Sequence, residues 1–180
     1  GLHELILAGG CFWCVEGVFA RVVGVISAQS GYVGGSKNQA NYHDVCTGTT
    51  GHAEAVRLTY EAASVRLSSL LKIFFAVAHD PTQWHRQGND RGSQYRSALF
   101  YQQAYEQQWF EQYLAELNRC QLFEAQVVTT IEPCTEFFPA EDYHQNYVSC
   151  NPFQPYVRGV ALPKIAALEQ YFPDLLKARS

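Results

Sequence analysis

The stretch His3-Glu-Leu-Ile-Leu-Ala8-Gly9-Gly10-Cys11-Phe12-Trp13-Cys14-Val15-Glu16-Gly17-Val18-Phe19-Ala20-Arg21-Val22 decides how the chain begins to fold. Its first six residues form a short apolar run stopped by two glycines, which suits a buried strand ending at a tight turn. Beyond the turn, Cys11, Val15, Val18, Phe19 and Val22 recur at helical spacing. A helix over 11–22 is therefore expected, with Cys11 in its first turn.

Outward from this unit, residues 25–30 suit a second strand, and Gly31-Tyr-Val-Gly-Gly35 signals a turn feeding a long loop through Asn38, Tyr42 and Cys46. Loops of that length tend to carry function. Ala53, Ala55, Arg57 and Thr59 alternate with Glu54, Val56, Leu58 and Tyr60, a period-two pattern for a third strand with Glu54 at its start. Residues 67–78 carry an amphipathic helix that stops before Asp80-Pro81. A strand over 96–101, a long helix over 102–119 and a strand over 126–131 follow. After Pro133 the chain reads as loop, because Pro139, Pro152, Pro155 and Pro163 interrupt any long element, apart from a short helix at 164–171. The expected architecture is an α+β single-domain two-layer sandwich spanning 1–180. Helices lie against a mixed sheet with a ferredoxin-like core over about 3–132, and a long, mostly irregular tail covers about 133–180.

At 180 residues with 47% hydrophobic content, one domain with a continuous core is the expectation. A net charge of -4 supplies no basic field for phosphate, so nucleic acid is not an expected partner. No stretch approaches the ~18 uninterrupted apolar residues of a membrane span, and the first ten residues lack a charged segment followed by a long apolar one. A cytoplasmic monomer is expected, although a chain that starts at Gly1 leaves a removed leader open. The six cysteines (Cys11, Cys14, Cys46, Cys120, Cys134 and Cys150) are too dilute and irregular for a disulfide framework.

Four clusters carry chemistry. In Gly9-Gly10-Cys11-Phe12-Trp13-Cys14, a strand end meets a helix start, where free N–H groups and the helix dipole favour negative charge. Cys11 is expected to ionise more readily there, and Phe12 and Trp13 to wall a small apolar pocket. The plainer reading, a buried small thiol among core aromatics, weighs about the same on local features alone. Cys-x-x-Cys also suits a dithiol oxidoreductase or half of a zinc site, but no second close ligand pair follows, and no metal is expected. In Gly51-His52-Ala53-Glu54 a carboxyl begins an apolar strand; burial there would raise its pKa and make it a general acid, against the commoner solvated glutamate. The segments 89–96 and 138–147 gather phenols, carboxylates and amides in loops, for which polar surface is the plainer account.

Together these clusters resemble the type A peptide-methionine sulfoxide reductases over about 5–152. The matching stretches include Gly-Cys-Phe-Trp at 10–13, Gly-Tyr-x-Gly-Gly at 31–35, Val-Cys-Thr-Gly at 45–48, Gly-His-Ala-Glu at 51–54, Arg-Gln-Gly-Asn-Asp at 86–90, Gln-Tyr-Arg-Ser at 94–97 and Pro-Ala-Glu-Asp-Tyr-His-Gln at 139–145. The resemblance implies that Cys11 attacks the sulfur of the S epimer of methionine sulfoxide while Glu54 protonates its oxygen, leaving a sulfenic acid on Cys11. It further implies that Phe12 and Trp13 hold the methyl group, that Tyr42 and Tyr95 bond the oxygen, and that Asp90 and His144 line the pocket. No cofactor is bound; thioredoxin or another external thiol is the reductant. Where many members carry a resolving cysteine, this chain has Val157. Cys150, in a tail taken as mobile, is the first candidate to condense with Cys11. Cys14 is the second, held back because two helical cysteines three apart need partial unwinding. Direct reduction by an external thiol is the third possibility. Cys46 is read as structural. The alternatives are a non-catalytic redox-responsive or sulfoxide-binding module and a Cys-x-x-Cys oxidoreductase.

Overall fold

In the computed structural model, which describes residues 1–178, the apolar run is strand β1 (Leu2–Gly9), and the Gly9-Gly10 turn delivers helix α1 (Phe12–Phe19). Gly10 has φ 85°, and a Cβ there would lie 2.6 Å from the Gln87 side chain, so only glycine fits this turn. Strand β2 (Val25–Val33), the one-turn helix α2 (Tyr42–Val45) and strand β3 (Ala53–Glu61) follow. Helix α3 (Leu67–Ile73) widens into a π turn at Phe74–Ala78. A small hairpin of β4 (Arg86–Gln87) and β5 (Asp90–Arg91) precedes β6 (Ser97–Tyr101), helix α4 (Ala104–Arg119) and strands β7 (Thr130–Pro133) and β8 (Phe137–Pro139). Helices α5 (Tyr147–Cys150) and α6 (Leu162–Tyr171) end the fold.

Six strands form one mixed sheet in the order β7-β6-β1-β3-β2-β8, antiparallel except for β6 with β7. The alternation along β1 and β3 sorts side chains between its faces. Leu5, Leu7, Val56 and Leu58 pack with α1 and α3, while Ile6, Ala8, Ala53 and Ala55 form a smaller cluster on the other side with Phe100 and Phe137. Burying Phe12 and Phe19 of α1 against this sheet contributes about 1.5–3 kcal/mol each, which holds the helix start in place. The result is a mixed α+β single domain.

Three expectations change. The tail is mostly helical, not irregular: residues 155–171 run as one helical stretch through a π turn at Val157–Ala161 into α6. Pro155 opens that stretch, where a missing N–H breaks little, and Pro163 follows directly on the π turn, where the regular helical ladder is already interrupted. The strand expected at 126–131 is β7 at 130–133. A strand not foreseen, β8, returns the tail to the sheet beside β2, which itself runs on through Gly31 to Val33. Gly31 permits this pairing, since a Cβ there would meet the Phe137 ring at 2.3 Å. Among the described residues no helix is long and apolar enough to cross a membrane.

Candidate active site

Cys11 is the N-cap of α1, with extended backbone (φ -60°, ψ 127°), so it stands just outside the helix body. Glu54, the second residue of β3, points to the same side of the sheet as Val56 and Leu58 and is 1% exposed. The two elements meet through one bond, in which the Phe12 amide, next along the chain from Cys11, donates to Glu54 Oε1 at 3.1 Å. Arg96 holds the turn that presents Glu54: its guanidinium forms a two-pronged pair with Glu132 on β7 and donates to the Gly51 carbonyl at 3.1 Å.

Burial pushes the Glu54 carboxyl up to about 8, against the opposing pull of the Phe12 amide, so it is protonated at neutral pH. Cys11 departs from expectation. Burial, a shared hydrogen bond with Cys14 and the nearby Glu54 charge raise its pKa, and only the Trp13 amide lowers it. The helix start does not win, because desolvation penalises the thiolate and Glu54 already occupies the Phe12 amide that would have served it. The charge falls on Cys14 instead. Accepting from Cys11 brings Cys14 down to about 7 against the opposing effect of burial, with help from Lys164 and the Tyr156 hydroxyl. The two thiols share a proton.

Aromatic rings enclose Cys11. Phe12 lies 5.6 Å from Tyr32 and 5.0 Å from His144 (ring centroids), and Trp13 stacks on Tyr147 at 3.8 Å and 6°. His144 is fully buried. Its Nδ1 accepts from Trp13 Nε1 at 3.0 Å, which puts the ring proton of the neutral form on Nε2, a buried atom with no partner in the protein. Tyr42 opens α2 and lies 4.4 Å from the His144 ring. Glu141 fixes it by accepting from the Tyr42 amide at 2.9 Å and from the Tyr32 hydroxyl at 2.8 Å. Tyr95 ends the 3₁₀ turn Ser93–Tyr95 before β6. Burial first, then Cys46 and Glu54 at Tyr42 and Glu54 and Asp90 at Tyr95, raises the pKa of both phenols, so each remains a donor.

Seven of the expected residues are thus brought together: Cys11, Phe12, Trp13, Tyr42, Glu54, Tyr95 and His144. Asp90 sits behind them and accepts from the Tyr156 hydroxyl at 2.5 Å. Tyr156, which no sequence signal singled out, also touches Cys14, with Sγ donating to its oxygen at 3.9 Å. Cys150 is exposed at the last residue of α5, an element pinned to α1 by the Trp13–Tyr147 stack and by the Asn146 amide donating to Glu16. Cys46 is the exposed C-cap of α2. Among the described residues no three His, Cys, Asp or Glu side chains come together in a metal-binding group.

A thiol at a helix start, a protonated carboxyl behind it and an aromatic cup around both are the parts of a site for thiol and acid chemistry on a small, partly apolar group. The chain belongs to the peptide methionine sulfoxide reductase family, whose profile matches residues 3–175. It is 48% identical over 175 residues to the peptide methionine sulfoxide reductase MsrA 2 of Mesorhizobium japonicum, covering 97% of this chain and 90% of that protein. It is 47% identical to the MsrA of Deinococcus radiodurans, with 97% and 84% covered. Among solved structures it resembles reduced Mxr1 from Saccharomyces cerevisiae with a TM-score of 0.77 at 31% identity, covering 85% of this chain and 87% of that one. Methionine sulfoxide reductase A of Corynebacterium diphtheriae matches with a TM-score of 0.72 at 34% identity, covering 87% and 79%. The protein is an oxidoreductase that reduces methionine sulfoxide.

Proposed function

We propose that the chain reduces the S epimer of methionine sulfoxide, free or in proteins, with Cys11 as nucleophile, Glu54 as proton donor and thioredoxin as the external reductant. The observation that carries this reading is the neutral Glu54 carboxyl held by the amide next to Cys11. A sulfoxide oxygen leaves only when protonated, so an acid that stays protonated at neutral pH must sit beside a sulfur able to lose its proton. The methyl group rests on Phe12 and Trp13, and Tyr42 and Tyr95 donate to the oxygen. His144 lines the cup with the Nε2 proton that lacks a partner.

As Cys11 attacks, Cys14 keeps the shared proton, Glu54 protonates the oxygen and the S–O bond breaks. Methionine leaves two electrons richer, and Cys11 is left as a sulfenic acid. This scheme needs no bound cofactor and no second copy of the chain, and we assign it to a monomer. Six free thiols suit a reducing compartment and support a cytoplasmic location. The sheet order β6-β1-β3-β2, with α1 after β1 and α3 after β3, supports a ferredoxin-like core.

The scheme has a pH signature. The thiol pair must lose one proton, with Cys14 near 7, and Glu54 must keep its own, near 8. In single-turnover experiments, methionine release is expected to rise through about pH 7 and fall above about pH 8. A rate that climbs without a break past pH 9 overturns the role of Glu54.

We place Cys14 ahead of Cys150 as the resolving thiol. Cys11 is an N-cap outside the helix body, and the Cys14 amide donates to the Cys11 carbonyl at 3.1 Å. Such a turn brings the two Cα atoms within about 7 Å, close to disulfide reach without unwinding. Cys150 faces solvent on a helix anchored to α1. After one equivalent of substrate, peptide mass spectrometry is expected to find a Cys11–Cys14 bridge. Cys14→Ser should lower thioredoxin-supported turnover on the order of 10²-fold, while Cys150→Ser leaves it near wild type. The reverse pattern restores Cys150.

A further inference from the structure

The cleft beyond Cys14 is not used by the sulfoxide reaction. It has a volume of about 400 Å³ and is lined by Gln83, Gln87, Asp90, Tyr156 and Lys164 among others, and neither Phe12 nor Trp13 borders it. Cys14 is 1% exposed, so water has no direct route to its sulfur, yet a resolving thiol must give up a proton and later regain one. One chain of contacts links that sulfur to the cleft: Cys14 Sγ donates to the Tyr156 hydroxyl at 3.9 Å, and Tyr156 donates to Asp90 Oδ2 at 2.5 Å. The partners come from α1, the β4–β5 hairpin and the start of the C-terminal helix, so the fold assembles them from three distant segments.

We propose that Tyr156 is a catalytic residue of the recycling half-reaction, relaying the Cys14 proton to Asp90, a positioning and acceptor group at the cleft wall. The proposal rests on the reading of Cys14 as the resolving thiol. Cys14 sulfur bonds to Cys11 sulfur, and the Cys11 S–O bond breaks. The Cys14 proton passes to the Tyr156 oxygen as the Tyr156 proton passes to the Asp90 carboxylate. The oxygen departs as water with a proton that Glu54 has regained from solvent. In the reverse direction a thiolate of the external dithiol bonds to Cys11, which is 8% exposed and the more accessible sulfur. The S–S bond breaks, Cys14 leaves and recovers its proton from Asp90 through Tyr156, and the second reductant thiol then closes the reductant's own disulfide and frees Cys11. Burial first, then the charges of Cys11 and Cys14, raises the Tyr156 pKa, so the phenol passes a proton without remaining as phenolate. The charged or titratable groups facing Cys14 are Cys11, Glu54, Asp90, Tyr156 and Lys164.

The test is Tyr156→Phe, which removes the hydroxyl and keeps the ring that packs edge-on against Trp13 at 5.9 Å. Methionine release and Cys11–Cys14 bridge formation are timed separately after one equivalent of substrate. Bridge formation is expected to slow about 100-fold at pH 5, where Cys14 keeps its proton, far more than methionine release, and to recover toward wild type as pH rises through about 7 and Cys14 ionises directly. Asp90→Asn should behave in the same way and serves where the phenylalanine variant does not fold. Parallel losses in both steps with an unchanged pH profile indicate a merely structural hydroxyl and overturn the relay. So does a Cys11–Cys14 bridge that forms at the wild-type rate in the variants. A bridge in the wild-type protein that maps to Cys11–Cys150 overturns the Cys14 assignment itself, a distinct failure.

Discussion

Cys11→Ser is expected to abolish methionine sulfoxide reduction, a loss of ~10⁴-fold or more, while leaving the fold intact or slightly more stable. A serine hydroxyl in that cup would have to ionise far above neutral pH where even the thiol is raised by burial, so no useful nucleophile remains. Cys14 cannot substitute, because its sulfur is held by the Tyr156 hydroxyl and is more deeply buried than that of Cys11. Stability moves the other way. Cys11 caps α1 only weakly, its sulfur facing the Trp13 amide without a well-formed cap bond, whereas serine at an N-cap accepts from the second or third amide of the helix and contributes about 0.5–1 kcal/mol. Methionine release with excess reductant and the thermal midpoint together check this. Retained turnover refutes Cys11 as nucleophile, and a lost fold refutes the claim that the thiol serves chemistry alone.

That separation of chemistry from scaffold explains which parts of the site were legible in the sequence. Residues 3–22 read correctly as strand, turn and helix because an apolar run and a 3.6-residue period are local properties, and α4 was legible for the same reason. The ionisation of Cys11 was not, since its direction depends on burial and on a carboxyl that arrives 42 residues later to take the Phe12 amide. Tyr156 was missed for a similar reason: its partners Asp90 and Cys14 lie 66 and 142 residues away, and the one pointer to it was its place beside Val157, where many family members carry a resolving cysteine. Of the prolines expected to dissolve the tail, Pro139 ends β8, Pro152 sits in a turn, Pro155 opens a helix and Pro163 follows the π turn, a distinction that depends on position and not on composition. Strand β8, with only the Phe137–Pro139 segment, is too short to show alternation.

Glu54→Gln should carry the second largest loss, on the order of 10²- to 10³-fold in single-turnover methionine release at pH 7. Glutamine keeps the shape and can still accept from the Phe12 amide, so the cup should persist, but its amide N–H groups are not acidic enough to transfer a proton to a departing oxygen. The descending limb of the pH profile, assigned to Glu54 near 8, should vanish with it. Stability gives an independent reading of the same carboxyl. Its ordinary value is 4.5 and its folded value about 8, so between those pH values the folded protein holds a proton that the unfolded chain has released. Stability therefore falls as pH rises across that window, by at most about 1.4 kcal/mol per pH unit from this group. Glutamine cannot titrate, so denaturant unfolding of the variant should show a flatter pH dependence and a gain over wild type that grows toward pH 8. A variant that loses activity but keeps the wild-type pH slope would mean that the buried carboxyl is ionised at neutral pH, and the proton for the sulfoxide oxygen would have to come from Tyr42 or Tyr95 instead.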